Sequence, residues 1–251
     1  MNSNNLGIQK EKILISFKEK KFQEVIAMGE KLLKERQNDA QLIYIIGLAS
    51  INIQNFVIAE TYFEKLILFK KNADNLYTLG NIQKKLKKFN KAVISFEEAI
   101  KLNPNFSEAY NNLGSTQKSL NKNEEAIFYY KKAIKLNRNN FEAYYNLTNL
   151  YFSLEYYKEA IDYFKNIINS EIRHEEICEK YTICLFKTGK KNEVKDFVLK
   201  IISKYPNNRT LNNLLGQSLL ALNFHKQGLS YIKKGAGFIQ LNERGTEILN
   251  E

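Results

Sequence analysis

Tyr110, Leu113, Gly114, Ala126, Tyr130 and Ala133 return 34 residues later as Tyr144, Leu147, Thr148, Ala160, Phe164 and Ile167. The same frame runs back to Leu76, Leu79, Gly80, Ala92, Phe96 and Ala99, and the two prolines, Pro104 and Pro206, stand three such periods apart. A recurrence of this length predicts stacked units that cover their apolar faces with one another rather than gather around one globular core. One continuous structural domain is expected, with its function on an extended surface.

Inside one period, Ala109, Tyr110, Leu113, Gly114 and Gln117 fall at helical spacing before a polar break at Asn121–Asn123. A second helical stripe follows through Ala126, Tyr129, Tyr130, Ala133, Ile134 and Leu136 and ends at Asn137–Asn140. Each period therefore reads as an antiparallel helix pair. Gly114 and Ala126 are small where the two helices cross, so a large side chain at either place would force them apart. Pro104 and Pro206 stop second helices, because proline biases the preceding residue away from helix. With 44% hydrophobic residues and only 11 Gly and 2 Pro, the chain is suited to packed helices.

The run Ser-Glu-Ala-Tyr-Asn-Asn-Leu-Gly from Ser107, followed by Glu-Glu-Ala-Ile from Glu124 and Tyr-Tyr-Lys-Lys-Ala-Ile-Lys-Leu-Asn from Tyr129, resembles the tetratricopeptide repeat signature. The resemblance covers most of the chain. Units near residues 40–72, 73–106, 107–140, 141–174, 175–208 and 209–238 form an array over 40–238. Residues 1–39 read as an N-terminal degenerate repeat or cap, and residues 239–251 as a C-terminal tail. The resemblance implies an all-α fold, a right-handed α-solenoid of antiparallel helix pairs; the C-terminal residues themselves read as a short β-hairpin or an extended tail. Gly228 and Gly235 stand where alanines are expected, and Gly235-Ala236-Gly237 reads as a helix break before a hairpin turning at Asn242-Glu243-Arg244-Gly245. Such a hairpin is marginal alone; it would cap the last helices, pair with another chain and so support an oligomer, or mark the junction to a lost domain.

The net charge of +11 raises nucleic acid and anionic surfaces as partners. Only Arg36, Arg138, Arg173, Arg209 and Arg244 are arginines, however, and lysine lacks the planar fork used for bidentate phosphate and base contacts. No apolar run approaches the roughly 20 residues of a membrane span, and Ile13–Phe17 is too short for a signal-peptide core, so a cytoplasmic protein is expected. Cys178 and Cys184, six apart on one helix, suit neither zinc ligation nor a local disulfide and are expected to be buried thiols.

Catalytic patterns are missing: there is no Gly-rich phosphate loop after a strand, no His-Glu-x-x-His and no nucleophile elbow. His174 and His225 are far apart in sequence, and pairs such as Glu124-Glu125 point in different directions on a helix. A protein without enzymatic activity, metal or cofactor is expected. In tetratricopeptide arrays the first helices line a concave surface, so the resemblance implies a groove for a protein or peptide segment. It places Tyr44, Tyr77, Asn111, Tyr145 and Asn213 along one line, with Asn81, Ser115, Asn149 and Gln217 one helical turn on. Asn112 and Asn146 match the asparagine that contacts the substrate backbone in the arrays of protein O-linked N-acetylglucosamine transferases; Ile45, Thr78, Lys180 and Leu214 hold the equivalent places. A side-chain amide offers an extended peptide both donor and acceptor.

The carboxylate clamp of the chaperone-binding subclass is absent, since Tyr77 and Glu142 occupy places that require lysine. One edge carries Asp74, Glu108, Glu142 and Glu176 and the other Lys84, Lys85, Lys118 and Lys187, a split that reads either as balance of each helix dipole or as a match to an extended ligand with charges of both signs. The expectation is a peptide-binding scaffold or adaptor. A rival places single-stranded RNA along Lys84, Lys85, Lys87, Lys88 and Lys118 with tyrosines as stacking platforms, and a third makes the chain the recognition arm of a separate protein-modifying enzyme such as a glycosyltransferase.

Overall fold

The structure is a computed structural model and describes residues 3–168, 174–236, 238–242 and 245–249. It forms two compact units, Met1–Asn140 and Phe141–Glu251, divided in sequence at a repeat boundary. The first unit holds four helix pairs: α1 (Ser3–Lys18) with α2 (Phe22–Glu35), α3 (Ala40–Asn52) with α4 (Phe56–Phe69), α5 (Ala73–Lys85) with α6 (Phe89–Leu102), and α7 (Ser107–Ser119) with α8 (Asn123–Leu136). The second holds three: α9 (Phe141–Ser153) with α10 (Tyr157–Ile168), α11 (Glu175–Lys187) with α12 (Lys191–Ile201), and α13 (Arg209–Ala221) with α14 (His225–Ala236). Two short strands follow, β1 (Phe238–Asn242) and β2 (Gly245–Leu249), antiparallel with Phe238 opposite Leu249. Gly237 and the turn residues Glu243 and Arg244 lie outside the described residues.

All seven pairs turn in the same way. Lys20, Gln54, Lys87, Asn121, Glu155, Gly189 and Asn223 have φ between 58° and 76°. In each turn the next N–H reaches back to close the first helix, as from Lys88 to the Gln83 carbonyl (2.8 Å) and from Lys190 to that of Leu185 (2.9 Å). This is the left-handed helix stop that satisfies carbonyls left open at a helix end. Only Gly189 among the seven is a glycine, so the motif is carried by hydrogen bonding and packing rather than by the usual residue. Lys20 shares the period, which makes α1 and α2 a pair with the same turn as the others.

The cores repeat as the turns do. Phe63, Phe96 and Tyr130, all buried, lie against Gly47, Gly80 and Gly114 of the paired first helices. A Cβ on those glycines would stand 2.8, 2.7 and 2.9 Å from the facing ring, so ring and glycine fill one volume between them. In α9 and α10 the glycine place holds the buried Thr148, whose hydroxyl donates to the Tyr144 carbonyl (2.9 Å).

The last pair keeps this scheme with the buried Ile232 2.6 Å from a Cβ on Gly216, and its backbones also come close. A Cβ on Gly216 would meet the Gly228 carbonyl at 2.8 Å and one on Gly228 the Gly216 carbonyl at 2.9 Å, so α13 and α14 cross backbone against backbone. The helix ends at Ala236, within the Gly235-Ala236-Gly237 stretch expected to break it, and Gly235 is its penultimate residue. A Cβ on Gly235 would stand 2.7 Å from the Asn213 nitrogen and 2.8 Å from the Arg209 carbonyl.

Candidate functional site

In the first unit, the helix face expected to bind is a connected set of side chains rather than a row of free ones. Asn112 on α7 donates both amide hydrogens to α5, to the Tyr77 hydroxyl (3.0 Å) and to Asn81 Oδ1 (2.7 Å). Tyr77 is held from behind by the rings of Phe106 (4.8 Å between centroids) and Phe96 (5.9 Å). Lys84 Nζ crosses the same gap to Ser115 Oγ (2.8 Å). Tyr77, Asn81 and Asn112 are half-buried, whereas Tyr44 is 41% exposed and rests edge-on against Phe63.

The second unit repeats the connection with different chemistry. Lys180 on α11 donates to Asn149 Oδ1 on α9 (2.6 Å) and to Glu176 Oε1 (2.5 Å), with its ammonium 5.8 Å from the Phe152 ring centroid. Tyr145 is exposed, and Asn146 is half-buried on the same helix. Asn81 with Asn112, Lys84 with Ser115 and Asn149 with Lys180 are each 31 residues apart. That offset is one period less one helical turn. It links neighbouring first helices and could have been read from the sequence once the period was known.

Asn111 does not belong with the exposed residues. It is 1% exposed, because an amide is too short to emerge where other units carry a tyrosine, and its side chain is interior. Two of the lysines expected along an RNA backbone are engaged: Lys88 Nζ lies 2.5 Å from Glu60, and Lys84 is held by Ser115. Glu60 itself is buried, so Lys88 ties α4 to the start of α6.

Cys178 and Cys184 are free and buried. Burial pushes the Cys184 thiol up to about 12, far from a reactive thiolate. Among the described residues no group of His, Cys, Asp and Glu could hold a metal ion, and no helix is long and apolar enough to cross a membrane. His174 precedes α11 and His225 opens α14.

Helix pairs joined by identical turns, with the first helices cross-linked side by side, define an α-helical repeat protein. Residues 73–106 and 107–140 each match one family model described as tetratricopeptide repeat, and residues 141–171 match a second with the same description. Residues 73–171 belong to the tetratricopeptide repeat family. Solved structures with this fold include the C-terminal part of a TPR repeat-containing protein from Cytophaga hutchinsonii, which is 15% identical, with 93% of this chain and 96% of that one covered at a TM-score of 0.71. YrrB, described as a TPR protein with an unusual peptide-binding site, is 19% identical over 70% of this chain and 91% of its own, at 0.61. MamA is 24% identical over 61% and 91%, at 0.59. At these identities the likeness is one of fold. No protein of curated function matches the sequence significantly.

Proposed function

We propose that the chain is a non-enzymatic interaction scaffold that holds an extended peptide segment against its first helices. The observation that carries this reading is the Tyr77, Asn81 and Asn112 cluster, half-buried polar and aromatic groups held in place by their own hydrogen bonds across α5 and α7. The peptide-binding site named for YrrB, a protein of the same fold, supports it.

Because Asn112 Nδ2 is already engaged twice, a peptide would meet its Oδ1 as an acceptor and the Asn81 amide as a donor. Such bonds are worth a net ~0.5–1.5 kcal/mol each, against about 8 kcal/mol for micromolar binding. Most of the affinity must then come from apolar area, for which Tyr44 and Tyr145 are placed by their exposure. The engagement of Lys84 and Lys88 weighs against a nucleic-acid backbone as the ligand.

A display library of linear peptides panned on the intact chain tests the proposal. Enriched peptides should bind in solution and lose at least about tenfold in affinity in Tyr44→Ala, Tyr77→Ala or Tyr145→Ala. Peptides that bind all three variants as they bind the parent chain would place recognition off this face, and nuclease-sensitive capture of RNA in place of any peptide would replace the reading.

A further inference from the structure

The first turns of α9 and α11 frame a pocket of about 360 Å³ within the second unit. Ile167 and Ile177, both buried, form its apolar depth, and Phe141 and Tyr145, 36% and 38% exposed, present their rings to it. Glu142, Glu176 and His174 complete the lining and are exposed. Glu142 has no ion pair or hydrogen bond among the described residues, and Glu176 is bound to Lys180 through Oε1 alone.

An acidic residue in a helix's first turn is ordinary, and Asp74 and Glu108 hold the same place on α5 and α7. What distinguishes this pocket is the company those acids keep. The residues that open α5 and α7 are Ala73 and Ser107, whereas α9 opens on Phe141. Two carboxylates beside exposed aromatic rings, over an apolar depth, match a ligand with an apolar stem and a cationic head. A ring face attracts a cation, carboxylates pair with it, and isoleucines accept the methylenes. An acidic ligand would meet the like charge of Glu142, with Glu176 already paired to Lys180. A wholly apolar one would cover the carboxylates without offering a partner, which is costly.

We propose that this pocket receives a lysine or arginine side chain of the bound peptide, so that the scaffold selects segments carrying a basic residue. The inference rests on the reading of the first helices as a peptide surface. It assigns a locally acidic anchor to a chain whose net charge is +11.

The test uses the intact chain with ¹³C-labelled tyrosine rings, the Tyr145 resonance assigned through Tyr145→Phe. The probes are N-acetyl-arginine methylamide, its norleucine analogue and its glutamate analogue. The arginine probe should produce a saturable Tyr145 shift, bind at least ~3-fold tighter than the norleucine probe, and lose that advantage in Glu142→Gln and Glu176→Gln. Equal binding of norleucine, tighter binding of glutamate, or no saturable shift up to about 50 mM overturns the inference. So does an advantage unchanged in both Gln variants. Peptides selected by display that still depend on Tyr44 or Tyr77 would show that the scaffold reading survives such a failure; if none does, both fail.

Discussion

Asn111 and Asn112 are adjacent and chemically identical, yet one is interior and the other ties two helices together. A 100° rotation per residue separates them, and Asn111, which shares its register with Tyr77 and Tyr145, stays interior because its side chain is shorter than theirs. Backbone conformation gives the sharpest residue-level expectation. Lys87 and Glu155 hold φ of 58° and 59°, a region that costs an L-residue ~1–2 kcal/mol, while Gly189 holds 76° without that cost. Lys87→Gly and Glu155→Gly should each raise stability by about 0.5–1 kcal/mol, after the greater chain entropy of glycine is subtracted, and Gly189→Ala should lower it by about 1 kcal/mol. Urea unfolding of the three variants checks both signs. The buried thiols give a second expectation: the native chain should resist a disulfide reagent at neutral pH, and the unfolded chain should react at Cys178 and Cys184 together.

At the scale of elements, helices pack through a few defined contacts that cross from pair to pair. Glu60 on α4 is 5% exposed and is paired with Lys88 at the start of α6. Lys88→Met should cost ~1–3 kcal/mol, since it leaves a buried carboxylate with only Lys91 at 4.0 Å; Lys88→Arg should cost less, as thermal unfolding would show. The Asn81 to Asn112 bond joins α5 to α7, and a double-mutant cycle with alanine at both should show a coupling of ~0.5–1.5 kcal/mol. Gly114→Leu, with Tyr130 and the Ala126 carbonyl already within 3.1 Å of a Cβ, should lose ~1–3 kcal/mol although leucine is the better helix former. That crossing was readable from the repeat. The Gly216 and Gly228 crossing lies three periods further on and was readable in the same way; only how closely its backbones approach was not.

For the whole molecule, the pH dependence of stability follows from groups in both units. Burial pushes the Cys184 thiol and the Tyr181 hydroxyl to about 12, and burial with the bond to Glu30 does the same for Tyr62. In each case the ionised form is disfavoured in the folded chain, so the unfolded chain loses its proton first, from the ordinary values of 9.0 for cysteine and 10.0 for tyrosine. Stability is therefore full below about pH 9 and falls as pH rises toward 12, at up to ~1.4 kcal/mol per pH unit for each group once its unfolded-state value is passed. Denaturant unfolding from pH 8 to pH 11 should show this decline, and Cys184→Ala should remove its earliest part.

The sequence by itself determined the period, the helix pair within it and the family, because an apolar stripe at 3.6-residue spacing, repeated every 34 residues, has few other ways to be covered. It also selected the helices that carry Tyr77, Asn81, Asn112 and Tyr145. Only the tertiary structure decided what those side chains do. It joined Asn112 to Asn81 and Lys180 to Asn149, sent Asn111 inward, set Gly235 close against α13, and set Phe141 and Tyr145 beside Glu142 and Glu176 around one pocket. The reason is distance: periodicity assigns a residue to a face, but hydrogen bonds and packing depend on ångström-scale approaches between helices, which no one-dimensional pattern contains.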